Sequence, residues 1–265
     1  MTSTMVARVE RKRIAQLVSH GKRLDGRGPT DYRELQLEVG VIERAEGSAR
    51  VRLGKSEVMV GIKIETGEPF SDVPNEGVLT VNAELVPLAS PTFEPGPPNE
   101  DSIELARIVD RGIRESKAID LPKLCVVPGK KVFVVFVDIY VLNHDGNLID
   151  ASAITSLAAL INTKMFNYEV EEGEIKKKPG YTQLPIKNHP IAVTSAKIDN
   201  TLITDPWLEE EHVMDARLTI TTGKDGKICA IQKGGYGYFT AQQIFEAAKI
   251  AREKGEELRK LVVKA

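Results

Sequence analysis

Short hydrophobic segments predict β-strands in the first half of the chain. In residues 58–64, Val or Ile occupies every second position, as in a strand with one buried face. Residues 48–53 precede this segment across a short turn at residues 54–56, so the two segments are predicted to pair as a hairpin. Residues 131–142 are almost continuously apolar, which indicates a central strand buried on both faces.

In other segments, apolar residues recur about every 3.6 positions, which predicts helices. Asp150 is predicted to cap one of them, and Thr240 to cap the last one. Five prolines in residues 87–98 predict a stiff loop that continues no strand. Three helices are predicted at residues 5–20, 99–117 and 151–161, and the last of these follows Asp150. A fourth is predicted to follow Thr240.

The chain divides into two halves of similar pattern. Each half is predicted to end as strand, Asp-Gly turn, strand and helix, with the turns at residues 145–146 and 225–226. This echo favours an α+β fold made of two related halves. The predicted segments are an N-terminal helix and entry segment (1–28), a first half (29–167), a charged, proline-containing linker (168–190) and a second half (191–265).

Composition limits the classes of function. The chain has 265 residues, of which 42% are hydrophobic and 28% charged, as in ordinary soluble globular proteins. No apolar run is long enough to span a membrane. Cys125 and Cys229 lack metal-type spacing, so both are predicted to fill the core of a reduced, cytoplasmic protein. Because the formal net charge is −2, contact with nucleic acid must come from a local basic patch.

Common catalytic motifs are absent. Residues 54–56 resemble the end of a Walker loop, but position 49 is alanine where that loop requires glycine. The four histidines have no zinc spacing, so the sequence predicts no metal, cofactor or catalytic residue. The acidic segment 205–215 leaves two interpretations open, because clustered carboxylates bind magnesium or donate protons in some proteins and face solvent in most.

Several motifs follow one another along the chain: Arg23-Leu24-Asp25-Gly26-Arg27 with Tyr32-Arg33, and Gly47-Ser48-Ala49 ahead of Leu53-Gly54-Lys55-Ser56. In this order they resemble motifs of the ribonuclease PH-like proteins. The resemblance implies a ribonuclease PH-like fold (ribosomal protein S5 domain 2-like) with two related βαβα-type halves. Residues 90–98 and 231–235 are similar to the non-catalytic subunit of the archaeal exosome, an RNA-degrading complex.

The phosphate-binding motif of active relatives is degenerate in this sequence. Active members follow the Asp-Gly turn with Gly, then Ser or Thr, then Arg, and these residues hold the inorganic phosphate that attacks RNA. The corresponding residues are Asn147, Leu148 and Ile149. Leucine and isoleucine give no charge-assisted hydrogen bond to an anion. The resemblance therefore implies an inactive homologue, with Glu209 and Asp215 as vestiges of a catalytic aspartate pair.

A basic stripe on the helix predicted at residues 99–117 is the candidate RNA-binding surface. Arg107, Arg111 and Arg114 stand at i, i+4 and i+7, on one outward face. In the resembling family this helix lines the path of single-stranded RNA, so contact with the phosphate backbone is predicted. The alternative is a solvated face, partly neutralised by acidic neighbours. The residues predicted to pack inward are Leu105, Ile108, Val109, Gly112 and Ile113.

The resemblance also implies partners. Three copies of this chain would alternate with three catalytic ribonuclease PH-like subunits in a ring of six, a ring of three heterodimers. RNA-binding cap subunits would sit on this ring, and the neighbouring subunit would perform 3′-to-5′ phosphorolysis. Two alternatives stay open, an active phosphorolytic exoribonuclease and a stand-alone RNA-binding protein. Only 5% of the residues are aromatic, which disfavours the second alternative.

Overall fold

Five α-helices, one short 3-10 helix (Leu121–Leu124) and twelve strands are found in the computed structural model, which describes residues 4–171 and 174–264. The helices are α1 (Thr4–Ser19), α2 (Glu100–Glu115), α3 (Leu148–Ile161), α4 (Leu208–Val213) and α5 (Ala241–Lys264). The strands are β1 (Leu35–Val39), β2 (Gly47–Leu53), β3 (Ser56–Gly67), β4 (Val78–Leu85), β5 (Cys125–Val127), β6 (Lys131–Asn143), β7 (Lys164–Glu171), β8 (Glu174–Gln183), β9 (Ile191–Ile198), β10 (Thr201–Thr204), β11 (Ala216–Thr222) and β12 (Ile228–Gly234).

The first sheet contains six strands and has β6 inside it. Its order is β1-β2-β3-β6-β4, with β5 also paired to β6, and only β4 runs parallel to its neighbour. Because β6 has neighbours on both edges, the central strand predicted at residues 131–142 is confirmed. The predicted burial on both faces is wrong, because alternate residues are completely buried and most of those between them are half-buried, with Tyr140 exposed. The hairpin predicted from residues 48–53 and 58–64 is confirmed as β2 and β3.

The second sheet is antiparallel and carries the second half. Its order is β10-β9-β11-β12, and every residue of β9 is buried. Helix α3 contacts both sheets, as well as α2 and α5. Eleven of its residues are buried, which explains why its sequence has apolar and small residues all round rather than an amphipathic pattern. The core therefore lies on either side of α3.

One of the two helix caps predicted from the sequence, that of Thr240, is confirmed, and the structure adds a cap at Asn99. The side-chain oxygen of Asn99 accepts a hydrogen bond from the backbone N–H of Ser102 at 2.9 Å, at the start of α2. Thr240 caps α5 by accepting from the N–H of Gln243 at 3.2 Å. The prediction for Asp150 is wrong. Asn147 occupies the cap position of α3, and Asp150 lies inside the helix with its side chain fully buried.

The predicted linker at residues 168–190 is wrong for most of its length. Strands β7 and β8 form a two-stranded antiparallel hairpin there. The charges that suggested a solvated linker are paired across the hairpin. Lys178 Nζ lies 2.5 Å from the Glu169 carboxylate, and Lys177 Nζ lies 4.4 Å from the centre of the Phe166 ring. Such cross-strand pairs stabilise a hairpin. In the linear sequence, however, the same residues look like a run of solvated charges.

The predicted echo between the two Asp-Gly turns also fails. The turn at residues 145–146 leads from β6 directly into α3, without the second strand that the echo requires. The turn at residues 225–226 joins β11 to β12 as predicted. Equal dipeptides therefore close different connections in the two halves.

Neither cysteine fills the core as predicted. Cys125 lies on the short strand β5 and Cys229 on β12, and both are half-buried free thiols. Within residues 4–171 and 174–264, no helix is long and apolar enough to cross a membrane.

The entry segment between α1 and β1 is tied to the second half by a buried ion pair. Arg23 Nε donates to Glu210 at 2.8 Å, and both side chains are almost completely buried. The guanidinium also donates to the carbonyl oxygens of Thr204 and Asp205, each at 2.8 Å. All three links join parts of the sequence that are about 180 residues apart.

Removing one member of this pair should destabilise the protein strongly. We expect Arg23→Ala to lower the free energy of unfolding by about 3–5 kcal/mol, since Glu210 would stay buried without its counter-charge. Chemical denaturation measures the loss. The control is Arg52→Ala, which breaks an ion pair between the exposed Arg52 and Glu57 and should cost no more than about 1 kcal/mol. Equal losses in the two variants would contradict this account.

Candidate nucleic-acid interface and phosphate site

The three predicted arginines lie together on the outer face of α2. Arg107, Arg111 and Arg114 are exposed and line an open groove of about 770 Å³. The opposite face of α2 is buried, and the inward packing predicted from the sequence is confirmed. Its buried residues are Ser102, Leu105, Ile108, Val109, Gly112 and Ile113.

The arginines differ in how far their charges are already satisfied. Arg114 pairs with Asp110 at 2.7 Å and donates to the Leu79 carbonyl at 3.1 Å, and the bond to Asp110 raises its pKa. Arg111 Nη1 donates to the neutral side-chain oxygen of Gln232 at 3.3 Å. In the part of the chain that the structure describes, the side chain of Arg107 has no ion pair or hydrogen bond. Arg107 and Arg111 thus keep their charges available to a ligand.

Acidic residues share the groove with these arginines. Glu100, Glu104, Asp110 and Glu115 also line it. Glu104 is neutralised by Arg217 of β11, which forms an ion pair with it, and Asp110 is neutralised by Arg114. RNA contact by this surface stays a prediction. Arg107 and Arg111 are the strongest candidate residues for it.

The degenerate phosphate-site residues form the start of α3. Asn147 adopts the left-handed conformation with φ 51° and is buried. Its side-chain nitrogen donates to Asp150 at 2.9 Å and to Asp205 at 2.8 Å. Leu148 and Ile149 line a cavity of about 240 Å³ between α2, α3 and α4. At the place predicted for phosphate, Leu148 and Ile149 therefore present apolar side chains. The amide of Asn147 is already hydrogen-bonded within the chain.

Helix α4 is pressed against the loop that precedes α3. The Leu208 N–H donates to the Asp145 carbonyl at 3.1 Å. Gly146 has φ 85°, and a Cβ there would lie 2.5 Å from backbone atoms of Trp207 and Leu208. Only glycine satisfies both the conformation and the close approach.

One turn further along α4, a carboxylate reaches the start of α3. Glu211 Oε1 accepts a hydrogen bond from the backbone N–H of Asn147 at 2.9 Å. Burial raises the pKa of Glu211 to about 7, against the opposing effects of this hydrogen bond and of Arg217 and Arg33. The backbone N–H of Asn147, directly before α3, is therefore already bonded within the chain.

The two carboxylates predicted to be vestigial, Glu209 and Asp215, lie on α4 and directly after it. Glu209 is exposed on α4. Asp215 follows α4 and accepts hydrogen bonds from Arg11 at 2.6 Å and from the Asp199 N–H at 2.8 Å. Among the described residues, neither carboxylate bonds to residues 147–149. The structure thus gives Asp215 a role in holding α1 against the second half.

Asp205 binds two arginines in this region, Arg27 and Arg33, and the sequence pattern did not single it out. This buried carboxylate accepts from the Arg33 N–H at 2.8 Å and side chain at 2.7 Å, from Arg27 at 2.9 Å and from Asn147. The sequence does hold a signal for a buried carboxylate on α4, where Glu210 is buried, but none for Asp205. Residues 209–211 are three consecutive glutamates on a short helix, and steps of about 100° cannot direct all three toward solvent.

Asp150 is a second buried carboxylate in this region. It accepts hydrogen bonds from Tyr32 at 2.7 Å and from the N–H and hydroxyl of Thr194 at 3.0 and 2.7 Å. Burial raises the pKa of Asp150 to about 6, although these bonds oppose the shift. Asp150 thus joins the entry segment, α3 and β9.

Family models match both halves of the chain. Residues 31–165 match domain 1 of the 3′ exoribonuclease family (RNase PH), and residues 188–254 match domain 2. The chain belongs to this family. The family and the fold predicted from the sequence motifs are therefore confirmed.

Close relatives are named as exosome components. The exosome complex component Rrp42 of Thermococcus kodakarensis is 56% identical over 263 residues, covering 98% of this chain and 97% of the relative. The protein of the same name from Pyrococcus horikoshii is 55% identical, covering 98% and 96%.

Solved structures of the family superpose closely. A chain of the Archaeoglobus fulgidus exosome with RNA bound to the active site gives a TM-score of 0.88 at 45% identity, covering 97% of this chain and 98% of that chain. A chain of an archaeal exosome core gives 0.86 at 41% identity, covering 99% of each. The similarity to rice Rrp46, at 17% identity and a TM-score of 0.69 over 91% of this chain and 98% of that one, supports the fold alone.

The raised pKa of Glu211 predicts a pH dependence of stability. Its pKa is about 7 in the folded state against an ordinary value of 4.5, so the folded state binds the proton more tightly. This group therefore stabilises the fold at low pH, and the contribution is lost as the pH rises from about 4.5 to about 7. We expect the free energy of unfolding of Glu211→Gln to fall less across this range. Asp150 shifts in the same direction and is present in both proteins, so its effect cancels. Identical pH profiles would contradict the assignment.

Proposed function

We propose that this chain is a non-catalytic ring subunit of an exosome. In this proposal three copies alternate with three catalytic ribonuclease PH-like subunits, which perform 3′-to-5′ phosphorolysis of RNA. The names of the close relatives and the exosome structures similar to this chain support membership of such a complex. The subunit would complete the ring, shape the active site of its neighbour and offer α2 to the RNA.

The start of α3 carries the proposal that the chain itself is inactive. Phosphorolysis uses inorganic phosphate as the nucleophile, so the anion must be held by donors near the reacting bond. Leu148 and Ile149 supply neither a hydroxyl nor a cation, and the side-chain donors of Asn147 are bonded to Asp150 and Asp205. An anion there would lose its hydration without charged partners, which is strongly unfavourable.

The second part of the proposal assigns RNA binding to α2. Arg107 and Arg111 are exposed on one face and keep their charges, so they suit the phosphate backbone of single-stranded RNA. Arg114 would contribute less, because Asp110 already neutralises it. RNA-binding cap subunits remain part of the proposal through the resemblance alone.

The free thiols of Cys125 and Cys229 suit a reducing compartment, and we propose the cytoplasm.

The purified chain should not degrade RNA by phosphorolysis. We expect no release of nucleoside diphosphates from single-stranded RNA with phosphate and magnesium, because residues 147–149 cannot hold the nucleophile. Activity should appear when a catalytic ribonuclease PH-like subunit is added. The control is a Glu209→Ala/Asp215→Ala variant of this chain in the same mixture, which should support equal activity. Release by the chain alone that this double variant abolishes would favour the alternative of an active enzyme.

Reversing the charge of Arg107 and Arg111 should weaken RNA binding by the assembled complex. We expect lower affinity for Arg107→Glu/Arg111→Glu, and a shallower dependence of log affinity on log salt, by about 0.7 for each lost phosphate contact. Binding is measured at several salt concentrations, with a sizing run to verify assembly.

The matched control carries the same charge change on another helix. Lys249→Glu/Lys260→Glu places it on the exposed face of α5 and should leave both the affinity and the salt dependence unchanged. If the complex stays intact and the α2 variant binds RNA like the unmodified protein, these arginines do not contact RNA. They would then be part of a solvated helix face. Tight RNA binding by the chain without any partner would favour a stand-alone RNA-binding protein.

A further inference from the structure

We propose that a basic cleft between the last turns of α5 and the turn at residues 223–227 binds an acidic segment of a partner protein. The cleft has a volume of about 520 Å³, and among the described residues it shares no lining residue with the α2 groove. The proposal goes beyond the proposed function and depends neither on RNA nor on a ring. The cations that line the cleft are Lys224 of the turn and Arg252, Arg259, Lys260 and Lys264 of α5.

Arg259 is the buried cation of this cleft. Only 8% of its surface is exposed, and bonds to neutral groups fix its guanidinium. Nε donates to the His189 carbonyl at 2.8 Å, and Nη2 donates to the carbonyl and hydroxyl oxygens of Thr222 at 2.8 and 3.1 Å. Within the described part of the chain, Nη1 has no hydrogen-bond partner and Arg259 forms no ion pair. Since Arg259 lines the cleft, Nη1 can donate there to an oxyanion of a ligand.

The close packing of α5 on β11 gives Arg259 this position. A Cβ at Gly255 would lie 2.6 Å from the hydroxyl oxygen of Thr222, so a larger residue there would push the helix away from the strand. Arg259 follows one helical turn after Gly255 and meets the same threonine. The guanidinium is therefore held in place by the backbone before any ligand binds.

The charge of Arg259 is poorly compensated inside the chain. Burial lowers its pKa, and the carboxylates of Glu256 and Asp225 oppose this shift without reversing it. Both carboxylates have cationic partners of their own, since Glu256 pairs with Lys260 at 2.7 Å and Asp225 with Lys227 at 2.9 Å. A buried charge without a counter-charge destabilises a protein. An acidic group bound in the cleft would supply this counter-charge.

The surrounding cations extend the basic surface along α5. Among the described residues, the side chains of Arg252 and Lys264 form neither an ion pair nor a hydrogen bond. Lys224 Nζ donates to the Lys187 carbonyl at 2.7 Å, a neutral partner that leaves its charge uncompensated. Twelve helical positions separate Arg252 from Lys264, which is about 18 Å. That length corresponds to about five residues of extended peptide.

The mixture of groups in the cleft favours a peptide over RNA. Asp225 and Glu256 also line it. Their carboxylates would repel a row of phosphates, but they can accept hydrogen bonds from the N–H groups of a peptide backbone. Val263 adds an apolar contact for a side chain. None of the described residues that line the cleft is aromatic, whereas proteins that bind single-stranded RNA without sequence preference stack its bases on aromatic rings.

The test is binding of a fluorescein-labelled hexaglutamate peptide to the full-length chain, measured by fluorescence anisotropy. We expect saturable binding, and an affinity lower by about tenfold or more for Arg252→Glu, because close charge pairs contribute strongly to the affinity of an interface. The matched control Lys130→Glu makes a charge reversal at an exposed turn of the first half and should bind like the unmodified chain. No saturable binding, or equal affinities of the two variants, would overturn the proposal.

Arg259→Lys separates a built site from general attraction to positive charge. Lysine keeps the charge, but it lacks the planar fork that bonds to His189 and Thr222 while Nη1 stays free. We expect this variant to lose affinity for the peptide as Arg252→Glu does. An unchanged affinity would show diffuse attraction only and would overturn the proposal. Circular dichroism verifies folding, and if Arg259→Lys is unfolded, the comparison of Arg252→Glu with Lys130→Glu decides.

Competition with RNA tests the choice of partner. Unlabelled hexauridylate should not displace the labelled peptide, whereas unlabelled hexaglutamate should displace it. Displacement by both at similar concentrations would overturn the assignment to an acidic peptide and favour a phosphate-binding site. None of these measurements involves phosphorolysis or assembly of a ring. A negative result would therefore leave the proposed ring function untouched, and loss of the ring function would leave this result untouched.

Discussion

The structure depends on one buried carboxylate, that of Asp205. It is fully buried and adopts a left-handed backbone conformation, with φ 52°. Arg27 and Arg33 of the entry segment and Asn147 at the start of α3 all donate to it. An unpaired buried carboxylate would destabilise the fold strongly, so these donors are required. Their positions in turn fix the entry segment and the start of α3 against the second half.

This constraint supports the proposal that the region does not bind phosphate. Asn147 is held by Asp205, and its backbone N–H is used by Glu211. The residues that follow are apolar and line the cavity between α2, α3 and α4. Polar groups that an anion would need are thus bonded within the chain. The outer face of α2 is different, since Arg107 and Arg111 stand there without a carboxylate partner among the described residues.

Local patterns predicted the regular elements well and the polar network poorly. The strand at residues 131–142 and the inward face of α2 follow from periodicity, because burial on one side or both leaves a direct trace in the sequence. The linker predicted at residues 168–190 instead contains most of the β7–β8 hairpin, because paired lysines and glutamates look like a solvated run until the strands are aligned. The bonds of Asp205 to Arg33 and Asn147 join residues 172 and 58 positions apart, which no local pattern contains.

Cross-linking of photoreactive single-stranded RNA to the assembled complex tests the account most directly. The central claim is that this subunit meets RNA through α2 while its own degenerate site stays closed. Mass spectrometry would locate the cross-linked residues. The account predicts cross-links in the peptide that contains Arg107 and Arg111 and none at residues 145–149 of this chain. Cross-links concentrated at residues 145–149, with none on α2, would contradict it.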